Sequence, residues 1–74
     1  SMMEAWEAIE DAEKKLEAIK AKEYLIEAKI KAGVVPESMR EQIRLEIRQA
    51  EYEIQRAVFI YNTALIKLNI AAEL

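Results

Sequence analysis

The residues that most constrain the fold are the only glycine and the only proline, which stand three positions apart in mid-chain as Gly33 and Pro36. Almost everything on either side is built from strong helix formers such as alanine, glutamate, lysine, leucine and isoleucine. Glycine suits the left-handed position that ends a helix, and proline suits the first turn of the next helix. The chain is therefore predicted to be all-α, with a helix over residues 2–32, a turn at residues 33–36 and a second helix over residues 37–73.

The 74 residues bound the chain to one small domain, a single helical hairpin over residues 1–74 whose long helices run antiparallel. A domain of this size buries only about 60% of the surface that its unfolded chain exposes. Small folds therefore gain stability from disulfides, a metal or a partner, but the sequence contains no cysteine and no histidine. Assembly into a homo-oligomeric coiled coil or four-helix-type bundle is predicted to supply the missing stability.

A heptad pattern in the second helix, with apolar residues alternately four and three apart, is typical of a coiled-coil seam. Its members are Ile43, Ile47, Ala50, Ile54, Ala57, Tyr61, Ala64 and Leu68. The first helix has a matching series of Ile9, Ala12, Leu16, Ile19, Ile26 and Ile30. These two series are predicted to form the core of the hairpin. A second row on the first helix is formed by Ala18, Ala21, Leu25, Ala28 and Ala32. It either permits close helix approach or simply reflects the helix propensity of alanine.

The last part of the chain, residues 57–74, carries only Lys67 and Glu73 as charged residues. A helix that is apolar nearly all round needs neighbours on every side, and one other helix cannot supply them. The side chains left over after the hairpin closes are predicted to form an oligomer interface of Phe59, Ile66, Ile70, Val58 and Trp6. Tyr24 and Tyr52 also lie off the main seams, which suits a subunit boundary.

Catalytic chemistry is not predicted, because the chain lacks histidine as a general base and as a partner for a nucleophilic serine. A single glycine is too few for a phosphate-binding loop. The acidic residues near the start, among them Glu7, Glu10 and Asp11, are interpreted as a solvated helix face. We therefore expect no enzyme activity, cofactor, metal site or small-molecule substrate, and the net charge of -3 argues against nucleic acid as a partner.

Two features bear on the cellular location of the chain. No run of about 18 apolar residues is free of polar interruption, so no membrane span is predicted and a soluble protein is expected. No signal peptide is recognisable at the start, and Ser1 with Met2 is interpreted as a cloning scar. The compartment is left open.

The second half of the chain resembles the periplasmic helical hairpin of TolC-like outer-membrane efflux proteins. The matching positions are Gly33, Ala50, Ala57, Tyr61, Ala64-Leu65 and Leu68-Asn69, and the likeness covers about residues 16–74. The resemblance implies a hairpin that joins a trimeric α-barrel in the periplasm, with the turn at Gly33, Val34 and Val35 meeting an adaptor protein. Pro36, the acidic first turns and the lack of membrane-crossing strands depart from that pattern.

The sequence thus predicts a non-enzymatic structural module that associates with itself or with another helical protein. Two alternatives remain open. One is a small helical co-chaperone or adaptor-binding hairpin of a bacterial secretion or efflux system, and the other is a designed or engineered self-assembling hairpin. Self-association predicts a folded homo-oligomer when the chain is purified alone, whereas a co-chaperone predicts poor behaviour until its partner is added.

Overall fold

The computed structural model describes the backbone of residues 2–73 and the side chains of residues 2–70. Two α-helices, α1 (Met2–Lys31) and α2 (Ser38–Glu73), pack against each other along a rod of 63 × 16 × 11 Å. The predicted all-α hairpin is confirmed. A rod this thin has no enclosed interior, so its only core is the line where the two helices meet.

Helix α1 ends in a Schellman motif, in which a left-handed glycine lets the chain turn back on the last carbonyls of the helix. The glycine is Gly33, with φ at 75°. Its N–H donates to the Ile30 carbonyl at 3.0 Å, and the Val34 N–H donates to the Lys29 carbonyl at 2.9 Å. The turn is one residue longer at each end than predicted, because the chain leaves helical geometry after Lys31 and regains it at Ser38.

Helix α2 begins at Ser38, two residues after the proline. The Pro36 carbonyl accepts a hydrogen bond from the Met39 N–H at 3.1 Å, and the Glu37 carbonyl accepts one from the Arg40 N–H at 3.0 Å. Proline lacks a backbone N–H, but no helix hydrogen bond is lost at this point, because the N–H groups at the start of a helix have no acceptor within the helix.

The register of the two helices is fixed by contacts that cross between them. Within the described part of the chain, ion pairs that join the helices include Lys15–Glu53 at 3.2 Å, Lys22–Glu46 at 3.4 Å and Glu27–Arg40 at 2.7 Å. In every pair the two residue numbers add up to 67 or 68. Residues that are equally distant from the turn therefore lie opposite each other, an arrangement that we call level pairing. In this register Met2 lies opposite residues 65 and 66 of α2.

The core lies along the predicted seams. Its buried residues are Ile9, Ile26, Ile43, Ala50 and Ala57. Half-buried beside them are Leu16, Ile19, Ile30, Ile47, Ile54 and Tyr61. Ile43 is the most deeply buried large side chain, at 2% exposed.

Leu68 is a correction to the predicted core, because its side chain is 56% exposed. Leu68 has the correct heptad spacing. However, the described part of α1 begins at Met2, which lies opposite residues 65 and 66, so no described residue of α1 lies opposite Leu68. Leu68 therefore extends past the helix that was expected to cover it. Ala71, the next member of the series, lies outside the residues whose side chains are described.

The composition of the core changes along the rod. We name residues 18–49 the turn half, and residues 2–17 with 50–70 the open half. In the turn half, the contact positions hold large side chains such as Ile26 and Ile43. In the open half, the second position of each heptad holds alanine, at Ala5, Ala12, Ala50, Ala57 and Ala64. Because alanine buries little apolar area, the open half has the thinner core.

Candidate interaction surface

The open half exposes large apolar side chains on every side. They are Met3, Trp6, Tyr52, Val58, Phe59, Ile60, Ile66, Leu68 and Ile70. Burying one large apolar side chain stabilises a structure by roughly 1.5–3 kcal/mol, so leaving nine exposed forgoes a considerable stabilisation. Large exposed apolar patches on a protein commonly mark a site of contact with another molecule.

Each residue of the predicted oligomer interface lies within this exposed region. Phe59, Ile66 and Ile70 are more than half exposed, and Val58 is 37% exposed. Trp6 contacts Tyr61 across the two helices, with ring centroids 5.6 Å apart and planes tilted by 58°. Half of the Trp6 side chain remains exposed, so the indole covers the tail of α2 only in part.

A groove of about 410 Å³ runs between the helices in the open half. Apolar residues form its floor and walls, namely Ala5, Ala8, Ala12, Ala57 and Ile60, while Asp11, Lys15, Glu53 and Arg56 form its rim. The groove exists because alanine side chains do not fill the space between the helices. Among residues 2–70, no cluster of histidine, cysteine, aspartate or glutamate could hold a metal ion. The groove is thus suited to receive apolar side chains.

In the turn half, an ion pair between Glu27 and Arg40 joins the two helices. Arg40 donates two hydrogen bonds to the Glu27 carboxylate, from Nη2 to Oε1 at 2.7 Å and from Nε to Oε2 at 3.1 Å. This hydrogen bonding lowers the pKa of Glu27, partial desolvation opposes the shift, and the positive charges of Arg40, Lys31 and Arg44 reinforce it. The same contact raises the pKa of Arg40. A paired guanidinium and carboxylate thus clamp the first turn of α2 onto α1.

The predicted turn residues differ in their exposure. The Val34 side chain is 70% exposed, and Val35 is half-buried. A Cβ built on Gly33 meets nothing within 4 Å, so only the backbone conformation requires glycine there. Val34 is the apolar side chain that the hairpin tip presents outward.

A second apolar stripe on α2 joins Phe59 and Ile66, which were predicted as interface residues, and Tyr52, which was predicted at a subunit boundary, to Leu45, which was not predicted. Its four members are Leu45, Tyr52, Phe59 and Ile66, which are 58–70% exposed and stand seven residues apart. Each lies two positions after one seam residue and two before the next, which at about 100° per residue places it opposite the hairpin core. We call this set the outer stripe. The constant spacing of seven was the signal that could have revealed it.

The remaining observations concern the chain as a whole. Within residues 2–73, neither helix combines the length and the hydropathy needed to cross a membrane. Comparison with protein-family models, with curated proteins and with solved structures gave no match. The function is therefore inferred from the surface of the hairpin alone.

Proposed function

We propose that this chain is a non-enzymatic structural module that associates with copies of itself through the apolar open half of the hairpin. One observation carries the proposal, namely the nine large apolar side chains that are exposed on the open half. A single hairpin has no third helix with which to cover them. Helices of further copies would supply the missing neighbours in a coiled coil or four-helix-type bundle.

The thin core of the open half supports the same proposal. In the open half, alanine occupies every second contact position. Few large apolar side chains are therefore buried between the helices there besides Ile9, Leu16 and Ile54. No disulfide adds stability, because the chain has no cysteine. Small domains with so little core commonly fold only as they associate.

The decisive measurement is the molar mass of the purified chain by sedimentation equilibrium over a wide range of concentration. The expected result is a mass above that of the 8.6 kDa monomer at micromolar concentration. A double variant, Phe59→Lys with Ile66→Lys, is expected to lower the mass while much of the helix content persists. A monomer at every concentration with a cooperative thermal transition would overturn the proposal.

The matched control adds the same two charges elsewhere. Ala21→Lys with Ala28→Lys changes two exposed positions of α1 in the turn half, away from the apolar open half. This control is expected to keep the mass of the parent chain. An equal loss of mass in both double variants would mean that added charge, rather than the open half, governs assembly.

A different helical protein is the alternative occupant of the same surface. The exposed Val34 at the tip favours this reading as a second point of contact for an adaptor-like partner. In that case the chain alone would remain monomeric and poorly helical, and a partner would restore its helicity. Circular dichroism of the chain alone across the same concentrations separates the two cases.

A further inference from the structure

The outer stripe differs from the rest of the exposed apolar surface, because it has a regular period and extends beyond the open half. Tyr52, Phe59 and Ile66 belong to the open half, with Tyr52 near the middle of the rod, and Leu45 lies in the turn half. The four residues span 21 positions of α2, which is about 31 Å of helix. A position that repeats every seven residues is one of the two positions that form a coiled-coil seam, and the other is occupied by Gln49, Arg56, Thr63 and Ile70.

We infer that the outer stripe is a contact between two copies of this chain, in which the two α2 helices pack parallel and in register, with both turns at the same end. The inference rests on the proposed self-association and names its surface and its orientation. Such an interface is isologous, because each stripe residue meets its own counterpart around a two-fold axis. The contact is closed and therefore yields a dimer of hairpins.

The parallel orientation follows from what lies beside the stripe. In register, each of the four stripe residues packs on an identical apolar side chain of the second copy. The neighbouring position Gln49 meets its own counterpart, whereas Arg56 lies at the edge of the contact, on the rim of the groove, where its guanidinium keeps contact with water. In an antiparallel arrangement, these polar side chains would instead lie against Tyr52 and Phe59. Polar residues at single positions of a seam fix register and orientation at some cost in stability.

Charge favours the contact through α2 over a contact through α1. Residues 4–17 of α1 carry six acidic and two basic side chains. If two copies met through α1 in parallel, these acidic segments would lie side by side. With α2 against α2, they lie on the outer sides of the assembly, about two helix diameters apart and beyond the Debye length of about 8 Å.

The apolar area is sufficient for a dimer of modest affinity. Each stripe side chain offers on the order of 100 Å² of exposed surface. Thr63 and Ile70 extend the apolar surface beside Phe59 and Ile66. The summed apolar area lies below the roughly 800 Å² per partner that stable interfaces bury on average, near the low end of their range. The seven-residue period favours the contact as well as the area does. Because the stripe of the second copy has the same period, all four residues can pair at once in one register.

Thiol cross-linking tests the orientation, since the absence of native cysteine makes any introduced thiol unique. Leu45→Cys and Ile66→Cys are each placed alone in the full chain and treated with a short thiol-reactive cross-linker. A parallel, in-register contact predicts covalent dimers in each variant by itself. An antiparallel contact predicts dimers only when the two variants are mixed. Dimers in the mixture alone would overturn the orientation, and no dimers in any sample would overturn the surface.

A matched pair of leucines separates the outer stripe from general apolar exposure. Leu45 and Leu25 are both 59% exposed in the turn half, but only Leu45 lies on the stripe. Leu45→Lys is expected to raise the dissociation constant roughly tenfold or more, because the substitution enters both copies of the contact. Leu25→Lys is expected to leave it unchanged. Equal effects of the two variants would overturn the inference.

The failure of this inference is distinguishable from failure of the proposed function. A parent chain that is oligomeric by mass but unaffected by Leu45→Lys would keep self-association and reject the outer stripe as its surface. A parent chain that is monomeric at every concentration would reject both. Circular dichroism on each variant shows whether the hairpin is still folded, and the cross-linking result stands whether or not Leu45→Lys reduces helix content.

Discussion

The two halves of the rod differ in where their small residues lie and in how many large side chains they leave exposed. In the turn half, large side chains such as Ile26 and Ile43 are buried, while Ala21 and Ala28 face outward. In the open half, Ala50 and Ala57 are buried. There, the large side chains of Met3, Phe59, Ile60 and Ile66 face outward.

The contrast teaches that one hairpin can be complete at one end and incomplete at the other. The turn half has an isoleucine core, a Schellman turn and the Glu27–Arg40 contact, all of which it forms within one chain. The open half has an alanine-lined core and an apolar exterior that the hairpin itself does not cover. In the proposed self-association, the open half therefore supplies most of the contact surface, with Leu45 of the turn half beside it.

The largest expected effect comes from placing a charge in the core of the turn half. Ile43→Asp is expected to destabilise the fold by about 3–5 kcal/mol, because an unpaired carboxylate would be buried between the helices. Chemical denaturation followed by circular dichroism measures the change. Gln42→Asp adds the same charge at the exposed neighbouring position and is expected to have little effect. A normal melting temperature for Ile43→Asp would mean that the turn half is not the complete half.

A smaller effect is expected where the alanine core begins. Ala50 is 1% exposed, so Ala50→Leu would force extra methylene groups between closely packed helices and destabilise by about 1–3 kcal/mol. Ala21→Leu makes the same change at an exposed position and is expected to be neutral. If both variants kept the parent's thermal stability, the helices would have room to spare at the alanine positions.

The turn itself offers a test that does not involve packing. Gly33→Ala is expected to destabilise by about 1–2 kcal/mol, because the backbone there is left-handed and only the conformational penalty changes. Val34→Ala, at an exposed position one residue later, controls for an altered turn sequence. Equal stability of Gly33→Ala and the parent would show that the chain can turn in another conformation.

The smallest effect concerns the Glu27–Arg40 contact and depends on pH. The pKa of Glu27 is lowered in the folded chain, so the folded state binds its proton less tightly than the unfolded state does. The stabilisation is therefore fully present above the ordinary glutamate pKa and is lost as the pH falls through the lowered value. Glu27→Gln is expected to be less stable than the parent at neutral pH, and the difference is expected to close on acidification.

The control for this prediction is a double-mutant cycle. In an Arg40→Gln background, the main partner that lowers the pKa of Glu27 is missing and only the charges of Lys31 and Arg44 remain, so the pH dependence of the Glu27→Gln difference should shrink. Denaturation curves at several pH values measure all four proteins. A pH dependence of undiminished size in the Arg40→Gln background would assign it to another pair of groups.

The fold could be predicted from the sequence because local signals agreed with one another. Gly33 and Pro36 divided a helix-forming chain once, and the heptads on either side had matching phase. Leu68 was placed wrongly because spacing along one helix does not reveal the register in which the two helices pair. Leu45 was not joined to Tyr52, Phe59 and Ile66 because the apolar pattern of the tail was followed only from residue 57 onward. A spacing of seven marks the outer stripe as a periodic set, but how far each of its side chains is exposed depends on the packing of the two helices.

The level pairing of the helices has a consequence for the order in which the chain folds. Glu27 and Arg40 are separated by 13 residues along the chain, whereas Lys15 and Glu53 are separated by 38. Since the entropy of closing a loop rises with its length, we expect contacts near Gly33 to form first and the helices to pair from the turn outward. Opening would then begin at the opposite end and expose the residues that line the groove. In the proposed self-association, a second copy that covered those residues would favour closure of the hairpin.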